Sequence, residues 1–465
     1  MKKINIRGSE LKRLGFSNAE SIRVAIQLAQ KNFKRSDKVE MLQTLKSILT
    51  QPDHFIHDPV WHELAKLMAS KPDMQKATTR PVKKSEGFTI YGADQIDPEA
   101  IRQMELAMKL PISIKGALMP DAHLGYGLPI GGVLATYNAV IPYGVGMDIG
   151  CRMCLSIFES SPQKVIKDSE QIKKILMSET RFGFATFNDV QEHEIAGRKE
   201  FSEIPFLKTL HKKFVAQLGT SGHGNHFVDV GYVDIPEYSE LIGIEPGKYF
   251  AVLSHSGSRN FGAEVCKHYT RVAQQQLGLK GEAGRLAWLE LDTEAGQEYW
   301  AAMNLAGDYS HVNHRIIHSR LAKAFREEPI RILENHHNFA WKETLETGEE
   351  IIIHRKGATP ADIGDVGIIP GTMASPAFIV TGKGNEEALK SAAHGAGRLV
   401  SRNQAKKTFS EKEMKKYLVE QGVELLGGGL DESPFAYKDI HQVMEYQKEL
   451  VEINGMFYPK IVRMA

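Results

Sequence analysis

Cysteine is scarce in this 465-residue chain, which holds only Cys151, Cys154 and Cys266. A small odd number cannot build a disulfide framework, and it suits a reducing compartment. Excess charge is missing too. The 58 lysines and arginines face 57 aspartates and glutamates, leaving a formal net charge of +1. A globally basic surface is thereby excluded as a way of holding nucleic acid, and any basic patch must be local. No apolar run reaches the roughly 18 residues of a membrane span. The basic start MKKINIRGSELKRLGF is not followed by the apolar stretch of a secretory signal. A cytoplasmic protein with no membrane partner is therefore expected. No GxxxxGK[ST] string occurs, so a nucleotide bound here is not cradled by a P-loop. No repeat of fixed period occurs either, which excludes a solenoid.

What remains is an ordinary globular composition, 42% hydrophobic and 25% charged, in a chain long enough for two or three domains. Residues 1–80 read as a small helical domain poor in glycine. Their first fifty positions carry eleven basic residues, Lys2, Lys3, Arg7, Lys12, Arg13, Arg23, Lys31, Lys34, Arg35, Lys38 and Lys46, against four acidic ones. An amphipathic helix is expected over Ala19–Gln30. Such a module is either a solvated appendage or a basic aid to RNA binding. The polar stretch ATTRPVKKSE, residues 77–86, reads as a linker. From residue 88 to 465 short apolar runs alternate with glycine-rich turns, and the expected class is α+β: a mixed sheet core with surrounding helices. Helices are expected across 262–345, over Ala388–Val400 and over Glu411–Gln421, with strands and turns over 349–383 and a strand at the C-terminal PKIVRM.

Several of the 18 histidines lie in glycine-flanked loops beside apolar strands, where a scaffold exposes functional groups. Gly144-Val-Gly-Met-Asp-Ile-Gly-Cys151 puts a carboxylate and a thiol three residues apart, a pair that suits a divalent transition metal. The same cysteine begins a CxxC with Cys154, which leaves a redox pair or half a zinc site open. Gly222-His-Gly-Asn-His226 offers an imidazole with little steric cover. Leu253-Ser-His255-Ser-Gly-Ser-Arg259 places an imidazole and a phosphate-binding fork in one loop. Asn335-His-His337-Asn338 adds another candidate ligand after an expected helix. His394-Gly-Ala-Gly-Arg398, followed by Arg402, reads as an anion site at a helix start, its histidine a base or a nucleophile towards phosphorus. His354-Arg-Lys356-Gly and Ile369-Pro-Gly-Thr372 supply cationic and hydroxyl groups nearby, and together these loops suggest a nucleoside triphosphate.

The strings MPDAHLGYGLPIGG (119–132), GVGMDIGC (144–151), GHGNHF (222–227), HSGSR (255–259), HHN (336–338), RKGA (355–358), PGTM (370–373) and HGAGRLVSR (394–402) together resemble the RtcB family of RNA-splicing ligases. They stand in family order across roughly residues 88–402, and residues 1–80 lie outside the usual family core. The resemblance implies a ligase that joins a 2′,3′-cyclic phosphate or 3′-phosphate RNA end to a 5′-hydroxyl end, using GTP and two Mn²⁺ ions. It implies tRNA halves or broken RNA ends as partners, in tRNA splicing or RNA repair, and leaves an archease-type activator open. Cys151 would bridge the two metals, one also held by His226 and His255 and the other by Asp148 and His337. His337 is preferred to His336 because the family histidine directly precedes the asparagine. His394 would take GMP. Asn225, Lys356, Thr372 and Gly395, Ala396, Gly397 and Arg398 would line the nucleotide site, and Arg259 and Arg402 would hold RNA phosphates.

The chain departs from the family pattern in three places. Asp229 stands where a glutamate usually reads guanine. Ala377 stands where a serine lies near the nucleotide. The usual terminal Lys-Gly is replaced by Pro459-Lys-Ile-Val-Arg-Met-Ala465, with Lys460 or Arg463 as stand-ins. Two other classes of function compete with the ligase. A phosphoesterase that cleaves cyclic phosphates without ligating would not need the intact HGAGR loop. A non-catalytic RNA-binding scaffold would not need two metal sites.

Overall fold

A computed structural model of the chain describes residues 6, 10, 11, 14, 16, 19–34, 37–69, 85–189, 192–344 and 348–465. Two compact units divide it, Met1–Lys83 and Lys84–Ala465. The expected linker 77–86 lies outside the described residues except for Ser85 and Glu86, as do Lys2, Lys3, Arg7, Lys12, Arg13 and Arg35.

The first unit holds helices Ala19–Asn32, Lys38–Thr50 and His62–Ala69. Each places apolar residues three or four apart, Ile22, Ala25 and Ala29 on one, Met41, Leu45 and Ile48 on the next. The stripes meet Leu11, Phe16 and Trp61 in a core of their own. Phe33 stacks on Trp61 with ring centroids 5.4 Å apart. The unit is thus a small folded bundle rather than a solvated appendage.

The second unit is built on two sheets. The larger, of eight strands, runs in the order Val366–Pro370, Ala377–Gly382, Val451–Met464, Phe227–Ile235, Gly247–Ser256, Arg152–Ile157, Arg331–His336, with Glu424–Leu426 paired in parallel to Val451–Met464. The smaller, of five, runs Phe88–Ile90, Ser113–His123, Ile130–Thr136, Glu350–Lys356, Asn338–Thr344. Residues alternate between sheet faces with period two. Val133, Ala135, Ile351 and Ile353 of the smaller sheet share a core with Ile369, Phe378 and Val380 of the larger. On the larger sheet Leu253 joins one core while its neighbour Val252 joins another, with Ile317 and Leu321 of the 32-residue helix Glu294–Phe325. His337 is the single residue between strands of different sheets, and here the chain passes from one to the other. No helix among the described residues is long and apolar enough to cross a membrane.

Two expectations need correction. The stretch 262–345 is helical only to Phe325, and Arg331–His336 and Asn338–Thr344 are strands. Ala388–Val400 is not a helix either. Ser391–Ala393 pairs with Ala358–Pro360, and the next helix begins only at Arg402, capped by Ser401. Gly395 and Gly397 oppose helix formation, and the ladder to 358–360 supplies the backbone bonds a helix would have made.

Buried neutral histidines brace this unit. His354 Nε2 accepts the Ile141 N–H at 2.9 Å while Nδ1–H donates to Leu134 O at 3.1 Å, and burial lowers its pKa to about 4. Burial likewise takes His318 down to about 3. The unfolded chain protonates these rings near pH 6.5, so their contribution is complete above that pH. It is lost as pH falls from 6.5 towards 4, each group withdrawing at most about 1.4 kcal/mol per pH unit. Thermal melts from pH 7.5 to 4.5 should show Tm falling below pH 6.5, less steeply in His354→Gln. A flat profile would contradict this account.

Candidate active site

Backbone pairing brings the candidate ligands together. Strand register sets His255 beside Met153 on one side and Phe227 on the other. Asp148 and Cys151 lie in the turn that leads into Arg152–Ile157, and His226 directly precedes its strand rather than following one. The His337 N–H donates to Cys151 O at 3.0 Å, and Gly150 N–H to Asn338 O at 2.7 Å, which anchors the sheet crossing to the cysteine turn. His337 therefore sits between two strands, not after a helix.

Five donors converge. Cys151 Sγ lies 3.1 Å from His255 Nε2 and 3.5 Å from His226 Nε2. His226 Nε2 is 2.8 Å from an Asp148 oxygen, and His255 Nε2 is 3.2 Å from His337 Nε2. The closest triplets are Cys151, His255 and His337, and Asp148, Cys151 and His226. This is a different division of the histidines from the one the resemblance implies, but Cys151 belongs to both. The donor set fits divalent ions. His226 Nδ1 and His337 Nδ1 are buried without a partner. Burial, with His226 beside it, lowers the pKa of His255 to about 3, and burial with His394 and His255 nearby keeps that of His337 well below the ordinary range. Both rings are neutral at neutral pH and offer lone pairs. Burial works against ionisation of Asp148, yet the adjoining His226 holds its carboxyl below the ordinary value. Burial and the Asp148 charge push the Cys151 thiol well up, and a bound cation is the force that would draw off that proton. Cys154 takes no part. All three cysteines are free and buried, and Cys154 packs near His314 and His318 under the long helix. The CxxC is neither a disulfide nor one metal site.

His394 faces this cluster, its ring centroid 4.9 Å from that of His337. Its Nδ1 is 2.7 Å from Asp121 Oδ2, and the same oxygen accepts the N–H groups of His394 and Gly395 at 3.1 and 3.3 Å. Asp121 is completely buried. The carboxylate makes Nδ1 the protonated nitrogen and leaves the Nε2 lone pair free. A register shift between Leu118 and His123 takes Asp121 out of the sheet alternation. Lys438 Nζ donates to Pro120 O and Ala122 O, both at 3.0 Å, and so grips the chain on either side of Asp121. Gly397 has φ +72°, and a Cβ there would lie 2.1 Å from Asp121 O, so only glycine lets the histidine loop approach this closely. Neither Asp121 nor Lys438 was singled out from sequence. The available signal was an aspartate after proline inside the apolar run ALMPDAHL.

A cavity of about 890 Å³ opens over both groups. Asp148, Cys151, Asn225, His226, Asp229, His255, His337, Lys356, Thr372, His394, Gly395, Ala396, Gly397, Arg398 and Arg402 all line it, as does Ala377, whereas Arg259 does not. Asp229 is 4% exposed, its Oδ1 has no partner, and burial pushes its carboxyl well above the ordinary range. Lys356 spends its donors on the carbonyls of Tyr126, Leu128 and Tyr143 at 2.5, 3.0 and 3.0 Å, and burial lowers its pKa to about 8. It ties loops of the cavity wall together. Thr372 bonds to Ser375 Oγ at 2.9 Å.

The arginines are engaged as well. Arg398 donates to Tyr437, Glu432 and the carbonyls of Val400 and Asp431. Arg402 pairs with Glu432 at 3.2 Å and donates to Asn225 Oδ1 at 3.4 Å. Arg259 lies behind the metal loop, donating to Thr220 Oγ1 at 3.1 Å and to Gly183 O. Lys460 and Arg463 do not line the cavity. Val462 and Met464 face it, so strand alternation turns Arg463 away, to Leu426 O at 3.0 Å and over the Phe182 ring.

A sulfur common to both donor groups has a measurable consequence. Titration with Mn²⁺, followed by electron paramagnetic resonance, should show Cys151→Ala weakening both ions together, whereas His337→Ala weakens mainly one. Loss of a single ion in Cys151→Ala would refute the shared sulfur.

Comparison with known proteins bears on the same residues. Residues 103–464 match the family model described as tRNA-splicing ligase RtcB. The chain is similar to the RNA-splicing ligase RtcB of Escherichia coli (strain K12), 30% identical over 388 residues that span 77% of this chain and 92% of that protein. It is also 30% identical over 399 residues to the tRNA-splicing ligase RtcB of Methanococcus maripaludis, covering 70% and 82%. With RNA-splicing ligase RtcB homolog 1 of Entamoeba dispar it shares 28% over 417 residues, covering 75% and 78%. The match to the family model runs through the five candidate metal donors, the histidine loop and nearly the whole second unit, and the chain belongs to the RtcB family.

Proposed function

We propose that this chain is an RNA ligase of RNA splicing or repair that joins a 3′-phosphate or 2′,3′-cyclic phosphate end to a 5′-hydroxyl end through guanylylated His394. The observation that carries the reading is the Asp121–His394 pair, set with its free Nε2 towards a cavity that also holds five metal donors. Asp121 accepts the Nδ1 proton, so Nε2 keeps a lone pair for the α-phosphorus of GTP. As the N–P bond forms, the bond to the bridging oxygen breaks and pyrophosphate leaves. GMP then passes from His394 to the RNA 3′-phosphate, and the 5′-hydroxyl attacks that phosphorus with GMP as the leaving group. Asp148, Cys151, His226, His255 and His337 would hold divalent ions, Mn²⁺ in this proposal, which would supply neutralisation of phosphate charge.

The remaining residues orient the substrates. Guanine presents adjacent N–H donors, and the Asp229 carboxyl on the cavity wall, whose Oδ1 is without a partner, supports its recognition. Arg402, exposed on the wall, is the cation best placed for an RNA phosphate, whereas Arg259 and Lys356 act by holding loops. The basic first unit would add non-specific hold on RNA.

Incubation with α-labelled GTP and Mn²⁺, followed by denaturation, should leave covalent label on the protein. His394→Ala should abolish it. Asp121→Asn, which no longer enforces the tautomer, should slow labelling on the order of 10²–10⁴-fold. Label that survives His394→Ala would sink the mechanism, and label from ATP in place of GTP would displace the role given to Asp229. Deletion of residues 1–83 should reduce the salt dependence of RNA binding. An unchanged slope would remove that unit from the RNA site.

A further inference from the structure

We infer that Phe184, braced by His223, is a stacking platform for the terminal nucleobase of the RNA end that carries the 3′-phosphate. The inference rests on the ligase reading and names a specificity element within it. Its starting point is the segment Arg181-Phe-Gly-Phe-Ala-Thr-Phe187, which sets three phenylalanines behind one arginine. Two of the three phenylalanines have a guanidinium over the ring. Arg463 lies 4.9 Å from the centre of Phe182, which is buried, while Arg181 and Arg320 lie 4.7 and 3.9 Å from that of Phe187. Phe184 instead stands 83% exposed, and meets the ring of His223 edge-on with centroids 5.2 Å apart.

This exposure is not that of a loose tip. Ala185 N–H donates to Phe182 O at 3.1 Å and closes a turn around Phe184. Gly183 N–H donates to Ser221 O at 3.0 Å, and Ser221 N–H to Arg181 O at 2.7 Å, so the turn is bonded to the loop that carries the metal ligand His226. Arg259 staples the same turn through Gly183 O. Gly183 has φ +66°, and a Cβ would lie 2.2 Å from the His223 ring, so only glycine lets ring and turn approach. A fixed aromatic face left in water at the edge of a nucleic-acid site is suited to a base, since every base has a π-face to stack. The surrounding guanidinium groups favour an RNA backbone.

The order of residues along one loop assigns the end. His226 reaches the metal donors, and a Cβ on Gly224 would lie 2.2 Å from the Arg402 guanidinium. His223 carries the Phe184 contact and also lines the cavity. A terminal phosphate at His226 and Arg402 has its own nucleoside directed along this loop towards His223 and Phe184.

Ligation kinetics with two donor RNAs, one ending in a normal 3′-phosphate nucleotide and one in an abasic 3′-phosphate residue, test the platform. Labelling of His394 by GTP involves no RNA and reports an intact site in each variant. Phe184→Ala should raise KM for the normal donor about 10-fold, equivalent to about 1.4 kcal/mol, with kcat changed far less, and Phe184→Trp should restore it. The abasic donor should cost the unaltered protein a similar factor and cost Phe184→Ala nothing further. An unchanged KM in Phe184→Ala, an abasic penalty undiminished in that variant, or a penalty confined to an abasic 5′-hydroxyl strand would each overturn the assignment. Fluorescence anisotropy of the same donor RNAs carries the comparison without turnover. Failure of the unaltered protein to ligate would then count against the ligase reading, while the binding difference still decides the platform.

Discussion

The carboxylate of Asp121 has no exposure to water, and the histidine loop is organised around it. A buried carboxylate is costly unless donors meet it. Here the imidazole of His394 and two backbone N–H groups at the start of the HGAGR loop all donate to Oδ2, while Oδ1 is buried without a partner. The bond fixes which nitrogen of His394 holds the proton, and hence which can meet phosphorus. The arrangement needs a register shift in the smaller sheet, a lysine gripping the carbonyls on either side, and a glycine at 397 that lets the two loops touch. His394 is therefore positioned by groups on three separate segments.

The metal donors obey a related constraint. A thiol, a carboxyl and three imidazoles brought together away from water cannot all carry their usual charge. Burial keeps His255 and His337 neutral and the Cys151 thiol protonated, which is the state a divalent cation converts to a ligand set. The convergence follows from strand order. The ends of adjacent strands of the larger sheet deliver His226, His255 and the Asp148–Cys151 turn to one edge, and the crossing between sheets delivers His337.

Positive charge near the cavity is mostly committed to the protein itself. Lys356 and Lys438 hold carbonyls, Arg259 holds the turn behind the metal loop, and Arg398 is held by Glu432 and Tyr437. Arg402, paired at the rim with Glu432, is half-exposed, and Arg285, which also lines the cavity, rests over the Tyr126 ring. In the proposed reaction the committed cations would shape the pocket, and divalent ions held by the donor cluster would supply the charge that the phosphates need.

The sequence by itself determined the α+β class, the helical first segment, the glycine-flanked histidine loops and, through eight ordered motifs, the family. These are local properties: composition, periodicity, and residue types whose chemistry is restricted. All but one of the residues it marked for the site line the cavity, Arg259 being the exception. Only the tertiary structure decided what those residues touch. It separated Cys151 from Cys154 by strand direction, turned Arg463 away by the two-residue alternation, removed Arg259 from the wall, and replaced the expected helix at His394 with a loop laid on Asp121. Asp121, Lys438, Glu432 and Phe184 went unassigned because their roles come mostly from partners distant along the chain, through burial and pairing that no local pattern records.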